Sequence, residues 1–514
     1  MSPHAVPLSD GESHSDSDDM PWTRPADLET AVPAHQAKDR CWLKRSADDE
    51  VHDLVCVGFG PASLAVAVAL NDALEEGQPR LRTYEPKVRF LERQQQFHWH
   101  AGMLLPGAKM QITFIKDLAT LRNPRSHFTF LNYLQEKGRL VQFSNLGTFL
   151  PHRVEYENYM AWAASHFDDV VDYSQSVQSV DVAETDPKTG SVKAFQITSL
   201  NQTTGQTTTL ITKNVVIAAG GKPNLPKCLP ASHPRIIHSS QYATTIPSLY
   251  PPGSPHPRSV AVIGAGQSAA EIFNNIPSRF PGAKSHLLIR GAALRPSDDS
   301  PFVNEIFDPS RVDDVYSQQP ELRAQQLARD RGTNYSVVRL ELLEQIYETL
   351  YAYRVEYGDD SSVWPQRILN HRVIDSVSDV EVDGREAVRL HLQNNSGDFC
   401  ARQTSGVETL DVDLIVVASG YQRDAHEEML KELRHLMPDR DDGAQKRWSV
   451  RRDYGVEFAE GAVQSDAGVW LQGCNERTHG LADSLLSILA NRGGELVSSM
   501  FGVQPNGKKA MGGW

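Results

Sequence analysis

Two glycine-rich segments, far apart in the chain, constrain its fold more than any other feature. Residues 53–64 read DLVCVGFGPASL, and residues 259–271 read SVAVIGAGQSAAE. In each segment an apolar, valine-rich run precedes the glycines, and a helix-forming stretch with alanines follows them. This order of buried strand, glycine turn and helix is typical of dinucleotide-binding folds.

The glycines matter because a dinucleotide passes close to the backbone of such a turn. Without a Cβ the chain can approach a pyrophosphate, and the following helix directs unpaired N–H groups toward it. The sixth position is small in both motifs, Ser63 and Ala269, and Pro61 follows the second glycine of the first motif. One motif alone could be a helix-capping turn without a ligand, but two favour FAD and a nicotinamide nucleotide. The sequence therefore predicts an α/β fold with two dinucleotide-binding, Rossmann-like domains and a small substrate-binding region.

Composition disfavours several other classes of protein. The 514 residues carry a formal net charge of −14, which is unfavourable for a nucleic-acid-binding surface. The five cysteines form no CxxC pair, which disfavours the dithiol flavin reductases and fits a reducing compartment. No apolar run reaches transmembrane length and no signal peptide is recognised, so the expected location is cytoplasmic. The histidines do not cluster with acids or cysteines, so no metal site is expected.

The chain divides into five expected regions. Residues 1–50, rich in Ser, Asp, Pro and His, predict a disordered tail. Residues 51–257 form the first part of the FAD-binding domain, and residues 258–405 form the NADPH-binding domain with substrate-binding segments. The buried run 413–421 is expected to return the chain to the first domain, so that residues 406–502 complete it. Residues 503–514 form a flexible tail, and the NADPH-binding domain is thus inserted into the FAD-binding domain.

The residue that ends the second strand of each unit indicates which nucleotide is bound. Glu92 ends the strand 89–92, at a place where an acidic residue commonly holds a ribose hydroxyl. Arg290 ends the corresponding strand 286–290, and no acidic residue stands there. An arginine at this place favours the 2′-phosphate of NADPH over NADH, and an ordinary surface arginine is the alternative.

Several further segments are not generic nucleotide-fold sequence. They read VGFGPASL at 57–64, FHWHAGM at 97–103, KMQITFIKDLATLR at 109–122, RPSDDSPFVNEIF at 295–307, TNYSVV at 333–338 and GCNERTHGLADSLLS at 473–487. Together they resemble the N-hydroxylating flavin monooxygenases, most closely the fungal L-ornithine N5-monooxygenases of siderophore biosynthesis. The resemblance extends from about residue 50 to about residue 502. The family's Ala-Thr-Gly-Tyr segment reads ASGY at 418–421, which keeps the hydroxyl group.

The resemblance implies FAD and NADPH as cofactors and gives roles to particular residues. The residues expected around FAD are Gly58, Gly60, Pro61, Ser63, Glu92, Trp99, His100, Met110, Gln111 and Arg153. Those expected around NADPH are Gly264, Gly266, Gln267, Ser268 and Arg290. For the amino-acid substrate, Lys116 and Asn304 are expected at the carboxylate, Asn334 at the α-amino group, and Ser484 close to the flavin and the substrate.

The residues themselves support part of this assignment. Lys116 stands in the otherwise apolar run 112–118, and a lysine there needs a partner because an unpaired buried charge is costly. A substrate carboxylate would be such a partner, and an ion pair with Asp117 or another acid is the alternative. Asn304 is likewise polar among apolar neighbours, although a lone asparagine is as often a turn residue.

The reaction implied by the resemblance is N-hydroxylation of the L-ornithine side-chain amine by O2. It proceeds through a C4a-hydroperoxyflavin and gives N5-hydroxy-L-ornithine for hydroxamate siderophores. The amine must react in its neutral form, although the pKa of an alkylammonium is about 10.4 in water, and the sequence names no base. The family also implies a homotetramer.

Three alternative functions stay open at this point. An L-lysine N6-hydroxylase is one, because one methylene changes binding by only ~1–3 kcal/mol. A Baeyer–Villiger or xenobiotic flavin monooxygenase shares both glycine motifs, but only the second half of its linker fingerprint is present, at 238–242. A catalytically silent nucleotide-binding regulator is the third, and the intact glycines disfavour it.

Overall fold

The chain is described by a computed structural model over residues 41–81, 84–399, 405–438 and 447–503. The predicted tails lie outside the described residues, except for 41–50 and Val503. The prediction that disorder extends to residue 50 is wrong for 41–50, which pack against the first sheet. Arg89 of that sheet is buried, and it donates to the Ser46 carbonyl at 2.9 Å and to the Asp48 carboxylate at 2.6 Å. The segment is held because it satisfies a buried charge.

The longer strands are rich in β-branched residues, which favour the extended backbone. In chain order they are β1 (Val51–Val57), β2 (Val88–Leu91), β3 (Val171–Asp172), β4 (Gln175–Thr185), β5 (Val192–Asn201), β6 (Thr207–Ile217), β7 (Lys222–Pro223), β8 (Ile236–His238), β9 (Ser259–Ile263), β10 (Lys284–Leu288), β11 (Gln366–Leu369), β12 (Arg372–Val382), β13 (Arg385–Asn394), β14 (Gly406–Val412), β15 (Leu414–Val417), β16 (Tyr421–Gln422) and β17 (Gly468–Leu471).

The helices lie between these strands and cover the sheets. They are α1 (Pro61–Glu75), α2 (Phe130–Glu136), α3 (Leu140–Asn145), α4 (Arg153–Ser165), α5 (Tyr242–Leu249), α6 (Gln267–Arg279), α7 (Pro301–Asn304), α8 (Arg311–Ser317), α9 (Pro320–Asp330), α10 (Leu340–Tyr357), α11 (Ser396–Phe399), α12 (Ala425–Met429), α13 (Glu476–His479) and α14 (Leu489–Phe501). Within the described residues, no helix is both long and apolar enough to cross a membrane.

The first sheet has seven strands and combines parallel and antiparallel pairs. At its centre β1 lies parallel to β2 on one side and to β6 on the other. The long strand β6 pairs antiparallel with β5 along its first half and parallel with β17 along its second half. The central strands are apolar along most of their length because helices cover the sheet.

The second sheet has five parallel strands in the order β11-β10-β9-β15-β8. Its strand β15 belongs to the run 413–421, so the prediction that this run returns the chain to the first sheet is wrong. The return is made by β17, which pairs with β6. The physical reason is that β9 needs a neighbour on the side opposite β10, and β15 supplies it.

The two sheets have the same order of elements, which explains why the run 413–421 could be assigned to either of them. In each, a central strand is followed by a glycine turn, a helix and a neighbouring strand, then by antiparallel strands. The strand that closes each plan, β6 or β15, lies beside the central strand. The segments after these closing strands, β7 and β16, pair with each other and join the two sheets.

One helix contact on the first sheet is unusually close. α14 packs along α1, and a Cβ at Gly493 would lie 2.6 Å from the carbonyl oxygen of Ala65. The adjacent Gly494 faces only the side chain of Arg122. The backbone of α1 cannot give way at Gly493, whereas a long side chain can move at Gly494.

We therefore expect Gly493→Ala to destabilise the protein by about 1–3 kcal/mol through overpacking. The control Gly494→Ala should cost less, because there only a side chain has to shift, that of Arg122 in its ion pair with Asp72. Urea unfolding followed by circular dichroism measures both. Equal stability of the two variants would contradict the close contact.

Candidate functional site

A cleft of about 1560 Å³ opens at the carboxyl ends of the central strands of the first sheet and extends to β8 and the start of α6 in the second unit. Its wall includes Gly58 and Pro61 from the first glycine turn and Gln267 and Ser268 from the start of α6. The carboxyl edge of a parallel sheet is where α/β proteins bind dinucleotides. Both predicted nucleotide units therefore contribute to one cleft.

The first glycine turn has the geometry that a pyrophosphate requires. Gly58 has φ +89°, and a Cβ there would lie 2.6 Å from the carbonyl oxygen of Ala218 at the end of β6. Gly60 caps α1, nothing lies within 4 Å of its missing Cβ, and Pro61 is the first residue of the helix. Ser63, in contrast, is fully buried and faces Cys56 of β1, away from the cleft wall.

Glu92 follows β2 directly, as the sequence predicts for a ribose-binding acid. Its carboxylate accepts hydrogen bonds from the Phe59 amide at 2.7 Å and from the Gln94 amide at 2.9 Å. The side chain lines the cleft beside the glycine turn. The structure thus brings the predicted acid and the predicted turn together, although 33 positions separate Glu92 from Phe59.

The segments 98–101 and 110–112 line the same cleft. His100 adopts a left-handed backbone conformation, and its ring contacts those of Trp99 and Tyr421. Desolvation by the surrounding protein, with the positive charges of Arg153 and Arg423, lowers the pKa of His100 to about 4. The imidazole is therefore neutral near pH 7. Met110 is buried and Gln111 is exposed at the wall.

Arg153, predicted to contact FAD, makes a buried ion pair that the sequence did not reveal. At the start of α4 it donates to both carboxylate oxygens of Glu271 on α6, at 2.9 and 2.8 Å, and to the Met103 carbonyl. Glu271 also accepts from the Gln267 amide at 2.9 Å. One carboxylate therefore joins a predicted FAD residue to a predicted NADPH residue. The sequence did offer one signal for Glu271, since it lies one helical turn after Gln267 and so on the same face of the helix.

The second glycine turn repeats the first. Gly264 has φ +142°, and a Cβ there would collide with the carbonyl oxygen of Ala418 at the end of β15. Gly266 caps α6. Arg290 is exposed just beyond β10, and neither it nor the two glycines line the large cleft.

The predicted substrate residues are only partly brought together. Ser484 lines the cleft, whereas Lys116, Asn304 and Asn334 do not. The turn that follows Asn304 packs against the turn that ends at Ser484. Asn304 also donates its amide to the Asp299 carbonyl at 2.9 Å. Part of the hydrogen-bonding capacity of the Asn304 side chain is therefore used within its own loop.

The alternative that Lys116 forms an ion pair with Asp117 is wrong. The Asp117 carboxylate is buried and accepts from the backbone amides of Ala119, Thr120 and Phe130. Lys116 makes no ion pair with any residue that the structure describes. Lys116 is half-buried, and its charge has no counter-ion among the described residues.

Two more polar groups near the cleft were missed. The hydroxyl of Tyr335, next to Asn334, donates to Glu476 at 2.5 Å and so ties the two segments together. Gln472 follows β17 and lines the cleft, and both of its amide atoms are buried without a hydrogen-bond partner in the described structure. Such orphaned groups fit a site that holds a polar ligand. Tyr335 and Glu476 lie in the segments 333–338 and 473–487 that carry the family resemblance, and this was the signal that could have pointed to them.

No group of three or more potential metal ligands occurs among the described residues. The candidate site combines the first glycine turn, Glu92, Ser484 and the start of α6 with the aromatic side chains of Trp99, His100 and Tyr421. The first turn fits a dinucleotide because its helix start is uncrowded, its glycines let the ligand approach the backbone, and an acid stands beside it. The second turn has the same arrangement of glycines before a helix.

Comparison with known proteins extends this picture. The sequence profile described as L-lysine 6-monooxygenase/L-ornithine 5-monooxygenase matches residues 50–423. The chain is 54% identical over 486 residues to an L-ornithine N(5)-monooxygenase of Cochliobolus heterostrophus, covering 92% of this chain and 90% of that protein. It is 48% identical over 477 residues to the L-ornithine N(5)-monooxygenase SIDA of Beauveria bassiana, covering 89% and 87%.

Solved structures are similar as well. The ornithine hydroxylase PvdA from Pseudomonas aeruginosa superposes with a TM-score of 0.76 at 31% identity, covering 88% of this chain and 99% of that chain. The Kutzneria sp. 744 ornithine N-hydroxylase described as KtzI-FADred-NADP+-L-orn gives 0.75 at 34% identity, with the same coverage. The predicted resemblance and the α/β fold are confirmed. This chain belongs to the L-lysine 6-monooxygenase/L-ornithine 5-monooxygenase family.

Proposed function

We propose that this protein is an FAD- and NADPH-dependent monooxygenase that hydroxylates the side-chain amine of L-ornithine. Its product would be N5-hydroxy-L-ornithine, for hydroxamate siderophore biosynthesis. The observation that carries the proposal is identity of about half over 92% of the chain to an L-ornithine N(5)-monooxygenase. It is supported by one cleft that is lined by the first glycine turn, Glu92 and Ser484, and also by Gln267 and Ser268 at the start of α6.

The fold proposal is that each sheet is a Rossmann-like dinucleotide-binding domain, with the NADPH-binding domain inserted into the FAD-binding domain. The strand path supports this, because the chain leaves the first sheet after β6, builds the second sheet and returns with β17. The boundaries differ from those predicted, since β8 and β15 both pair within the second sheet. We propose a cytoplasmic location, as expected from the sequence analysis, and a homotetramer, as the resemblance implies.

FAD would be held along the first glycine turn. Gly58, Gly60 and Pro61 would meet its pyrophosphate, and Glu92 would accept a hydrogen bond from its ribose. Trp99, His100, Met110 and Gln111 would surround the rest of the molecule, because they line the same cleft. Arg153 would act beside it through its bond to Glu271. FAD and NADPH together supply hydride transfer and oxygen activation, and the protein supplies orientation and electrostatics.

NADPH would be held at the second glycine turn, by Gly264, Gly266, Gln267 and Ser268. Gln267 is already oriented, because its amide donates to Glu271 and its carbonyl accepts from the Arg339 amide at 2.9 Å. Arg290 is exposed just after β10, the second strand of this unit. An arginine at this position would bind the 2′-phosphate of NADPH.

L-Ornithine would be fixed at both ends. The Lys116 ammonium and the Asn304 amide would bind its carboxylate, Asn334 its α-amino group, and Ser484 would face the reacting amine. The absence of a carboxylate partner for Lys116 within the described residues supports this role. A fixed distance between the two ends selects the chain length of the substrate.

The decisive test compares L-ornithine with L-lysine as substrates of the purified, FAD-loaded protein with NADPH and O2. We expect a hydroxylamine product from L-ornithine, and less from L-lysine by about 10- to 100-fold, since one methylene is worth ~1–3 kcal/mol. Equal products would overturn the substrate assignment, and ketone or sulfide oxidation without any amine product would overturn the reaction.

Lys116→Met should raise the KM for L-ornithine by about 10- to 100-fold, because a charge-assisted hydrogen bond is worth ~1.5–3 kcal/mol. Oxidation of NADPH without substrate should not change. Lys188→Met, in the exposed hairpin between β4 and β5, is the matched control. An unchanged KM in the Lys116 variant would remove this residue from the substrate site.

Arg290→Ala should raise the KM for NADPH by about 10- to 100-fold and leave the KM for NADH unchanged, because NADH has no 2′-phosphate. Arg279→Ala, an exposed arginine at the end of α6, serves as the control. Steady-state oxidation of NADPH and of NADH by each variant gives the two KM values. A parallel loss for NADH would mean that Arg290 supports the fold instead.

A further inference from the structure

Two residues proposed to bind different cofactors meet on one carboxylate. Arg153 at the start of α4 belongs to the proposed FAD site, and Gln267 at the start of α6 belongs to the proposed NADPH site. Both side chains line the cleft. The carboxylate between them is that of Glu271, the only acidic residue of α6, and the proposed function gives it no role of its own.

The bond to Gln267 fixes the orientation of its side-chain amide. Nε2 of Gln267 donates to Oε1 of Glu271 at 2.9 Å, and Oε1 of Gln267 accepts from the backbone amide of Arg339 at 2.9 Å. A carboxylate can only accept and a backbone N–H can only donate, so the amide cannot turn over without losing both bonds. One N–H and one oxygen lone pair of this amide are then left for a ligand.

The bonds to Arg153 fix Glu271 in turn. Nη1 of Arg153 donates to Oε2 of Glu271 at 2.9 Å, and Nη2 donates to Oε1 at 2.8 Å. Nη1 also donates to the Met103 carbonyl at 2.8 Å. Two parallel bonds between a guanidinium and a carboxylate fix the geometry of the pair. The Oε1 atom that Gln267 binds is therefore held in place from the FAD side of the cleft.

Burial makes this arrangement hard to rearrange. The side chains of Arg153 and Glu271 are only 11% and 9% exposed. Neither can turn away without leaving the other as an uncompensated buried charge. Glu271 itself does not line the cleft, so it can act on a ligand only through the two residues that it holds.

The position of Gln267 explains why a fixed amide would matter to a nicotinamide nucleotide. Gln267 is the first residue of α6, directly after Gly266 of the second glycine turn. The pyrophosphate of a dinucleotide lies at such a helix start. A nucleotide bound there would therefore meet the Gln267 side chain on its way into the cleft. An amide turned the wrong way would oppose donor to donor and lose the hydrogen bond.

We propose that Glu271 is a positioning residue for the nicotinamide nucleotide. It holds the Gln267 amide in the orientation that NADPH meets. Its two bonds to Arg153 place that amide relative to the FAD site, so one carboxylate aligns the two cofactor sites. This inference rests on the proposed function, because it takes NADPH as the ligand of the second glycine turn.

A purely structural role for Glu271 makes a different prediction. If the ion pair only ties α4 to α6, the loss of Glu271 should weaken the binding of FAD, NADP+ and L-ornithine together. If Glu271 acts through Gln267, its loss should weaken the binding of NADP+ alone. It should then have no further effect once the amide of Gln267 has been removed.

The experiment is a double-mutant cycle on the binding of NADP+ to the FAD-loaded protein. Calorimetry at a temperature where each protein is folded gives the Kd for NADP+ of the wild type, Glu271→Gln, Gln267→Leu and the double variant. FAD content, thermal unfolding and the KM for L-ornithine at saturating NADPH are measured beside it. The matched control is Glu408→Gln on β14, because Glu408 also binds two nitrogens of one arginine, Arg372, at 2.6 and 3.1 Å, and does not line the cleft.

We expect Glu271→Gln to raise the Kd for NADP+ about 10-fold, as for one lost hydrogen bond. The reason is that glutamine has one accepting oxygen and cannot satisfy both nitrogens of Arg153 and the Gln267 amide. FAD content and the KM for L-ornithine should stay at the wild-type values. The double variant should bind NADP+ as Gln267→Leu does, since residues that act through one another are not additive. Glu408→Gln should follow the wild type.

A variant without charges keeps the test decisive if Glu271→Gln unfolds. Replacing both partners, Arg153→Leu together with Glu271→Leu, removes the ion pair without leaving a buried charge, a change that is often neutral or stabilising. We expect this variant to fold and, at saturating FAD, still to bind NADP+ about 10-fold more weakly than the wild type, because Gln267 has lost its acceptor.

An unchanged Kd for NADP+ in folded Glu271→Gln would overturn the positioning role and leave the proposed function intact. Losses that multiply in the double variant, or full NADP+ affinity in the variant without charges, would also overturn it in favour of a tie between α4 and α6. A wild-type protein that neither binds NADP+ nor oxidises NADPH would instead overturn the proposed function, and the positioning role with it.

Discussion

The close approach of each glycine turn to its neighbouring strand is the constraint on which the site depends. At Gly58 and at Gly264 the backbone passes so near to the carbonyls of Ala218 and Ala418 that no side chain fits. The contact sets where α1 and α6 begin, and so where their unpaired amides point. It also requires a strand beside the central one in both sheets, which explains why β6 and β15 occupy equivalent places.

A second constraint joins the two sheets. Arg153 and Glu271 form a buried, two-bond ion pair between α4 and α6, and Gln267 shares the carboxylate. Removing either partner would leave an uncompensated buried charge, which typically costs about 3–5 kcal/mol. Because the two hydrogen bonds fix the relative orientation of the side chains, the pair holds the start of α6 against α4 at the cleft wall. The short pairing of β7 with β16 adds a backbone connection between the segments that follow the two sheets.

Some parts of the site could be read from local sequence alone. Glu92 could be anticipated because an acid at the end of a second strand meets the glycine turn, and its bond to Phe59 has that geometry. Lys116 could be singled out because a charge in an apolar run needs a partner, and Asp117 proves to be occupied by backbone amides. The pairing of Arg153 with Glu271 could not be anticipated, since nothing local connects residues 118 positions apart.

Short stretches of sequence are enough to predict the two strand–glycine–helix units, the family and several of the polar site residues, because these depend on short-range backbone requirements and side-chain chemistry. Only the tertiary contacts show which sheet receives Leu414–Val417, that residues 41–50 cover Arg89, and that Tyr335 binds Glu476 of a distant segment. The reason is that two similar apolar strands carry no local label for the sheet they join. Their place follows from the packing of the whole chain, in which burial and hydrogen bonding are satisfied together.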